Sequence, residues 1–227
     1  MTADRLTRAV RRQLGLGRVL PLGGRGDTVW VTERAAAGVL RAAAGAVPGV
    51  RVGTLRIGTA NGPCGPDGQG GSGGQPGDAA GALPRRPLRV EAGFEATPER
   101  PLPESAARLR DALWRAAAEG VGLETEAVDL IVTGLLEEGG PRVALPSEPV
   151  DPPEGGRTAT TADRAAASVP GVAGLTSRLG GQRHPSQVQI AVDAGHRALD
   201  VGRAVAMAVT AVTQDVTTVV VTDIAGD

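Results

Sequence analysis

The sequence predicts an α+β protein made of two related small units. Each has β-α-β-β-α-β order, with an antiparallel sheet and two helices packed on one face, and the second copy lacks a clear first strand. Three observations predict this. The stretch Val47-Pro48-Gly49-Val50 ends an alanine-rich helical run, starts a β-like one, and returns as Val169-Pro170-Gly171-Val172. A second landmark, Leu130-Ile131-Val132-Thr133, has its counterpart in Val219-Val220-Val221-Thr222. The turn recurs after 122 residues (47 to 169) but the strand after 89 (133 to 222), so the first copy holds 33 residues more between its landmarks. The glycine-rich segment 58–87 supplies nearly all of that excess. It reads as a loop insertion, which costs little because loop-closure entropy grows slowly with length.

Taken in order, residues 1–27 read as a basic N-terminal arm. Leu6, Val10 and Leu14 fall on one side of a short helical pattern, with Arg5, Arg8, Arg11 and Arg12 elsewhere. Gly23-Gly24-Arg25-Gly26 is a turn signal; its GxxG and the RGD triplet at 25–27 lack the flanking helices or export signal that would give them a function. The first unit covers 28–138. Residues 28–31 read as a strand, and Thr32 caps a helix whose apolar positions Ala36, Val39, Leu40, Ala43 and Val47 fall at helical spacing. Gly49 and Gly171 each follow a proline and fit the third position of a type II turn, where φ is positive. A second strand runs over 50–57. After the insertion Leu88, Val90, Ala92 and Phe94 alternate with Arg89, Glu91, Gly93 and Glu95, which marks a strand with one face in the core and one in water.

A helix follows in which Ala106, Leu109, Leu113, Ala116, Ala117 and Gly120 form the apolar stripe, and 128–136 closes the unit as a fourth strand. Residues 139–157 hold five Pro and four Gly and read as a linker, with a short strand over 142–145. The second unit covers 158–227, with helices over 162–169 and 199–213 and strands over 174–180, 187–192 and 217–224.

Composition bounds the chemistry. The 227 residues suit two small cores, and although 41% are apolar they are mostly Ala and Val, with one Phe, two Trp and no Tyr. All 24 basic residues are arginine, which excludes a Schiff-base lysine and a P-loop lysine. Residues 1–57 carry ten Arg against Asp4, Asp27 and Glu33, while 58–157 carry nine Arg against sixteen acids. A basic first third of this kind meets an anionic surface or the acidic part of its own chain. The single cysteine, Cys64, allows no intrachain disulfide and no cysteine-based zinc site, which fits a reducing cytoplasm. No apolar run reaches the length of a transmembrane helix.

The residues resemble the alkaline shock protein family of bacterial envelope-stress proteins. The carriers are Val29-Trp30-Val31-Thr32-Glu33, the helix running to Val47-Pro48-Gly49-Val50, the Leu88-to-Phe94 strand, and Gly122-Leu123-Glu124 followed by Ala127-Val128-Asp129-Leu130-Ile131-Val132. The resemblance covers 28–138, with a degenerate echo over 160–225. It implies a non-enzymatic scaffold or adaptor acting through protein–protein contacts, cytoplasmic or held at the inner face of the cell membrane by a membrane-anchored partner. Self-association is left open.

The residues themselves agree. His184 lies in a Gly-Gln-Arg-His-Pro turn; His196 and Asp200, four apart, could pair. The acids from Glu119 to Glu138 have no metal-ligand spacing, so no cofactor or metal is expected. The alternative is a small module that binds RNA or an anionic surface through its basic first third. Without stacking aromatics it would depend on phosphate contacts alone, which disfavours nucleic acid. The expected contact surfaces are the arm, with Arg5, Arg8, Arg11 and Arg12, and the outward sheet face, with Arg89, Glu91 and Glu95.

Overall fold

The computed structural model describes residues 17–59, 83–136, 160–177, 179 and 187–225. Within them the chain forms β1 (Val19–Pro21), β2 (Val29–Thr32), α1 (Glu33–Gly45), β3 (Val50–Thr59), β4 (Leu88–Ala96), α2 (Leu102–Arg115) and β5 (Thr125–Leu135). It continues with α3 (Thr161–Ala167), β6 (Val172–Leu175), β7 (Gln187–Val192), α4 (Ala198–Thr213) and β8 (Thr218–Ile224). This is an α+β fold, as expected.

The repeat is visible in the topology. Both α1-β3-β4-α2-β5 and α3-β6-β7-α4-β8 place an antiparallel hairpin beside a strand that returns parallel after a crossover helix. The sheets are therefore mixed and not antiparallel, because a strand–helix–strand connection brings the chain back in its original direction.

A second correction concerns β2, expected to open the sheet of its own unit. It pairs in parallel with β8 of the other unit, Val29 with Val219, Trp30 with Val220 and Val31 with Val221. The result is a five-stranded sheet of order β1-β2-β8-β7-β6 and a three-stranded sheet β3-β4-β5. The place beside β8, where the second copy lacks a strand of its own, is thus filled from the first copy. The third correction is to the arm. Residues 19–21 form β1 antiparallel to β2, and Val19, Leu20 and Leu22 are buried, so the short apolar run there outweighs the basic character of what precedes it. Likewise the end of the 58–87 insertion is structural: Leu83 is buried and its N–H donates to the Val19 carbonyl at 2.8 Å. The strand expected over 174–180 is Val172–Leu175 instead, starting directly at the turn. The linker and its expected strand over 142–145 lie outside the described residues.

Local chemistry sets these boundaries. Thr32 ends β2 and caps α1: its Oγ1 accepts from the Ala35 N–H at 3.3 Å and donates to the Thr222 carbonyl at 3.2 Å, so one hydroxyl ties helix start to both strands. Thr160 and Asp163 form a capping box at the equivalent place in the second unit. Gly49 and Gly171 have φ of 74° and 88°, and the Val172 N–H donates to the Val169 carbonyl at 3.2 Å, which closes the turn the sequence predicts. A Cβ at Gly171 would lie 2.8 Å from both His196 and Val201, so glycine is needed there for space as well as for φ.

One contiguous core runs through both units. It joins Leu40, Phe94, Leu109 and Leu113 of the first to Val205, Val219 and Val221 of the second. On the far side of the five-stranded sheet Val19, Trp30 and Val220 form a smaller cluster, with Leu179 against it. The Arg85 guanidinium stacks on Trp30 at 4.2 Å from the ring centroid and donates to the carbonyls of Leu22 and Gly24.

Candidate interaction surfaces

The outward face of the three-stranded sheet carries the residues the β4 alternation singles out. Register sets Arg51 across from Glu95 and Arg56 across from Glu91, and on the other side Glu91 beside Asp129. Arg51 pairs with Glu95 at 3.1 Å and Arg89 with Asp129 at 3.3 Å. Two arginines thus meet two carboxylates in half-exposed pairs worth well under about 1 kcal/mol each, with Arg56 set across from Glu91 by register. The face answers its own charge, which makes it a weak electrostatic lure. Arg5, Arg8, Arg11 and Arg12 lie outside the described residues. Of the other arginines in the first third, Arg18 is engaged by Glu33 and by the Ile57 carbonyl.

A second polar contact joins the units. Arg203 on α4 holds Asp27 in a two-pronged pair, Nε to Oδ1 at 2.7 Å and Nη2 to Oδ2 at 2.8 Å, and Asp27 also accepts from the Gly24 N–H. These donors, the Arg203 bond first, hold the Asp27 carboxyl below the usual carboxylate range. The RGD triplet is therefore a structural turn whose aspartate is taken up internally. Beside it, Gly23, Gly24, Arg25, Arg85, Arg86 and Glu124 line a cleft of about 140 Å³, below the size of a pocket for a drug-sized ligand.

The His196–Asp200 pair that the spacing allows is not assembled. His196 Nδ1 lies 3.4 Å from the Ala194 carbonyl, and Asp200 pairs with Arg197. His184 and Cys64 are outside the described residues. Among the described residues no three His, Cys, Asp or Glu gather as metal ligands, and no helix is long and apolar enough to cross a membrane.

Two apolar surfaces remain open. On α4, Ala198, Val201, Val205 and Val209 face the core, while Ala204, Met207, Ala208, Ala211 and Val212 repeat at helical spacing on the other side. Met207 is 74% exposed, and Val216 beyond the helix end 73%. The second surface is the edge of β5, where Ile131 and Leu135 are 61% and 62% exposed. Both were within reach of sequence reading: the helix over 199–213 is apolar nearly all round, and 130–136 carries no charge.

Searches against protein-family models, curated proteins and solved structures give no match to this chain.

Proposed function

We propose that this protein is a non-catalytic scaffold or adaptor of envelope-stress type that works through protein–protein contacts. The observation that carries this reading is the outer stripe of α4. A surface helix ordinarily turns a charged face to water. Here the outward face from Ala204 to Val212 is apolar apart from the half-buried Thr210 and centres on Met207, a flexible and polarisable side chain suited to a partner's surface.

The resemblance of 28–138 to the alkaline shock proteins supports the same reading, and with it a cytoplasmic setting in which a membrane-anchored partner holds the protein near the membrane. The test is cross-linking in the native extract with the parent and with Met207→Glu/Val212→Glu. The adaptor reading expects a defined partner band with the parent, lost in the variant while the unfolding midpoint is kept. An identical band in both would refute the role of this face, and turnover of a small molecule dependent on His196 would refute the reading as a whole.

A further inference from the structure

We infer that the cleft between the β1–β2 loop and the starts of β4 and β5 binds a phosphate group, free or carried by a small monoester. Three walls form it: Gly23, Gly24 and Arg25 of the loop, Arg85 and Arg86 just before β4, and Glu124 just before β5. The α4 face has no part in it.

Each wall is tied to the other two. Arg85 Nη1 donates to the carbonyls of Leu22 and Gly24 at 3.4 and 3.3 Å, the Gly23 N–H to the Gly122 carbonyl at 3.3 Å, and the Leu88 N–H to the Glu124 carbonyl at 2.8 Å. The loop is also held from behind, since Asp27 accepts from the Gly24 N–H and is gripped by Arg203. A site fixed in this way gives up little conformational freedom when a ligand enters.

Charge and size select the ligand. Three guanidiniums against one carboxylate leave the cleft with two positive charges in excess. Arg85 is committed to the loop carbonyls and to the Trp30 ring, so it acts as a fixed charge. Arg25 and Arg86 are exposed, and among the described residues no carboxylate pairs with either guanidinium, whereas Arg18 and Arg51 are answered by Glu33 and Glu95. Guanidinium forks match the oxygens of a phosphate group two at a time. Glycine keeps the space open: a Cβ on Gly24 would lie 3.7 Å from Glu124 Oε1, so a larger side chain there would grow into the cleft. The volume of about 140 Å³ is below that of a pocket for a drug-sized ligand and suits a small anionic group. Trp30 is fully buried and offers no base a surface to stack on, which disfavours a nucleic acid as the source of the phosphate.

The test is isothermal titration of the full chain with inorganic phosphate at low ionic strength, where saturable one-to-one binding is expected. Arg25→Gln/Arg86→Gln should raise the dissociation constant at least about tenfold with the unfolding midpoint kept, because both side chains are exposed. Arg108→Gln/Arg115→Gln removes the same charge from α2 and should leave the constant within about twofold of the parent's. Glu124→Gln, which takes away the one carboxylate of the cleft, should tighten binding. No saturable binding by the parent, or equal weakening by the two arginine pairs, would overturn the inference. Phosphatidic-acid vesicles and an RNA oligonucleotide are the rival sources: retention on either that depends on Arg25 and Arg86, with no binding of inorganic phosphate, would overturn the assignment to a small ligand.

Discussion

Leu130-Ile131-Val132-Thr133 and Val219-Val220-Val221-Thr222 are the same piece of the same repeat in two settings. Both close an α-β-β-α-β run and both pair in parallel with the strand before the crossover helix. Yet Val220 and Val221 are fully buried, while their counterparts Ile131 and Val132 are 61% and 45% exposed. The difference comes from one four-residue strand, β2, which belongs to the first unit by sequence and to the second by pairing. The contrast teaches that in this duplicated fold burial is set by which copy receives the strand, more than by the apolarity of the strand itself.

The largest effect expected from this contrast is at β2. Trp30 is fully buried against Val19 and Val220, so Trp30→Ala should cost about 3 to 5 kcal/mol by denaturant unfolding. A matched pair sharpens the point: Val220→Ala should cost about 2 kcal/mol and its counterpart Ile131→Ala less than about 0.5. Similar losses at both sites would break the comparison. The two glycine turns compare the units in another way. Gly49→Val and Gly171→Val should each cost about 1 to 2 kcal/mol, the second more, since its Cβ would meet a ring and a valine where the first meets the Thr97 hydroxyl. A smaller effect than at the glycine turns is expected at the contact between the units at Asp27. Its folded pKa is lowered, so the stability it adds is present above the ordinary carboxylate value and is lost as pH falls through the folded one, below about 4. With Arg203 half exposed, Asp27→Asn should remove about 1 kcal/mol or less at pH 7, and the gap between parent and variant should narrow as pH falls below about 4.

Much of this was legible in the sequence because it rests on local chemistry. The Pro-Gly turns, the Thr32 cap and the β4 alternation each depend on a few neighbouring residues, and the repeat follows from their spacing. What was not legible is non-local. Nothing in Val29-Trp30-Val31 tells which of two similar strands it will pair with, since β5 and β8 offer equally apolar sequences. Nor could charge patterning show that Arg89 and Glu95 are answered by Asp129 and Arg51 on neighbouring strands. β1 was hidden by the basic residues before it, although Val19, Leu20 and Leu22 carry the burial. The His196–Asp200 spacing failed for a local reason: Arg197, adjacent in sequence, pairs with Asp200 first.

Among the described strands β2 covers β8, and none covers the outer edge of β5. Native-state hydrogen exchange, read residue by residue at a concentration low enough to keep the chain monomeric, tests it most directly. Amides of Val219, Val220 and Val221, paired on both sides, should exchange only by global unfolding. Among Leu130, Ile131 and Val132, those whose N–H points away from β4 should exchange at least about tenfold faster. Equal protection of the two strands at low concentration would contradict it.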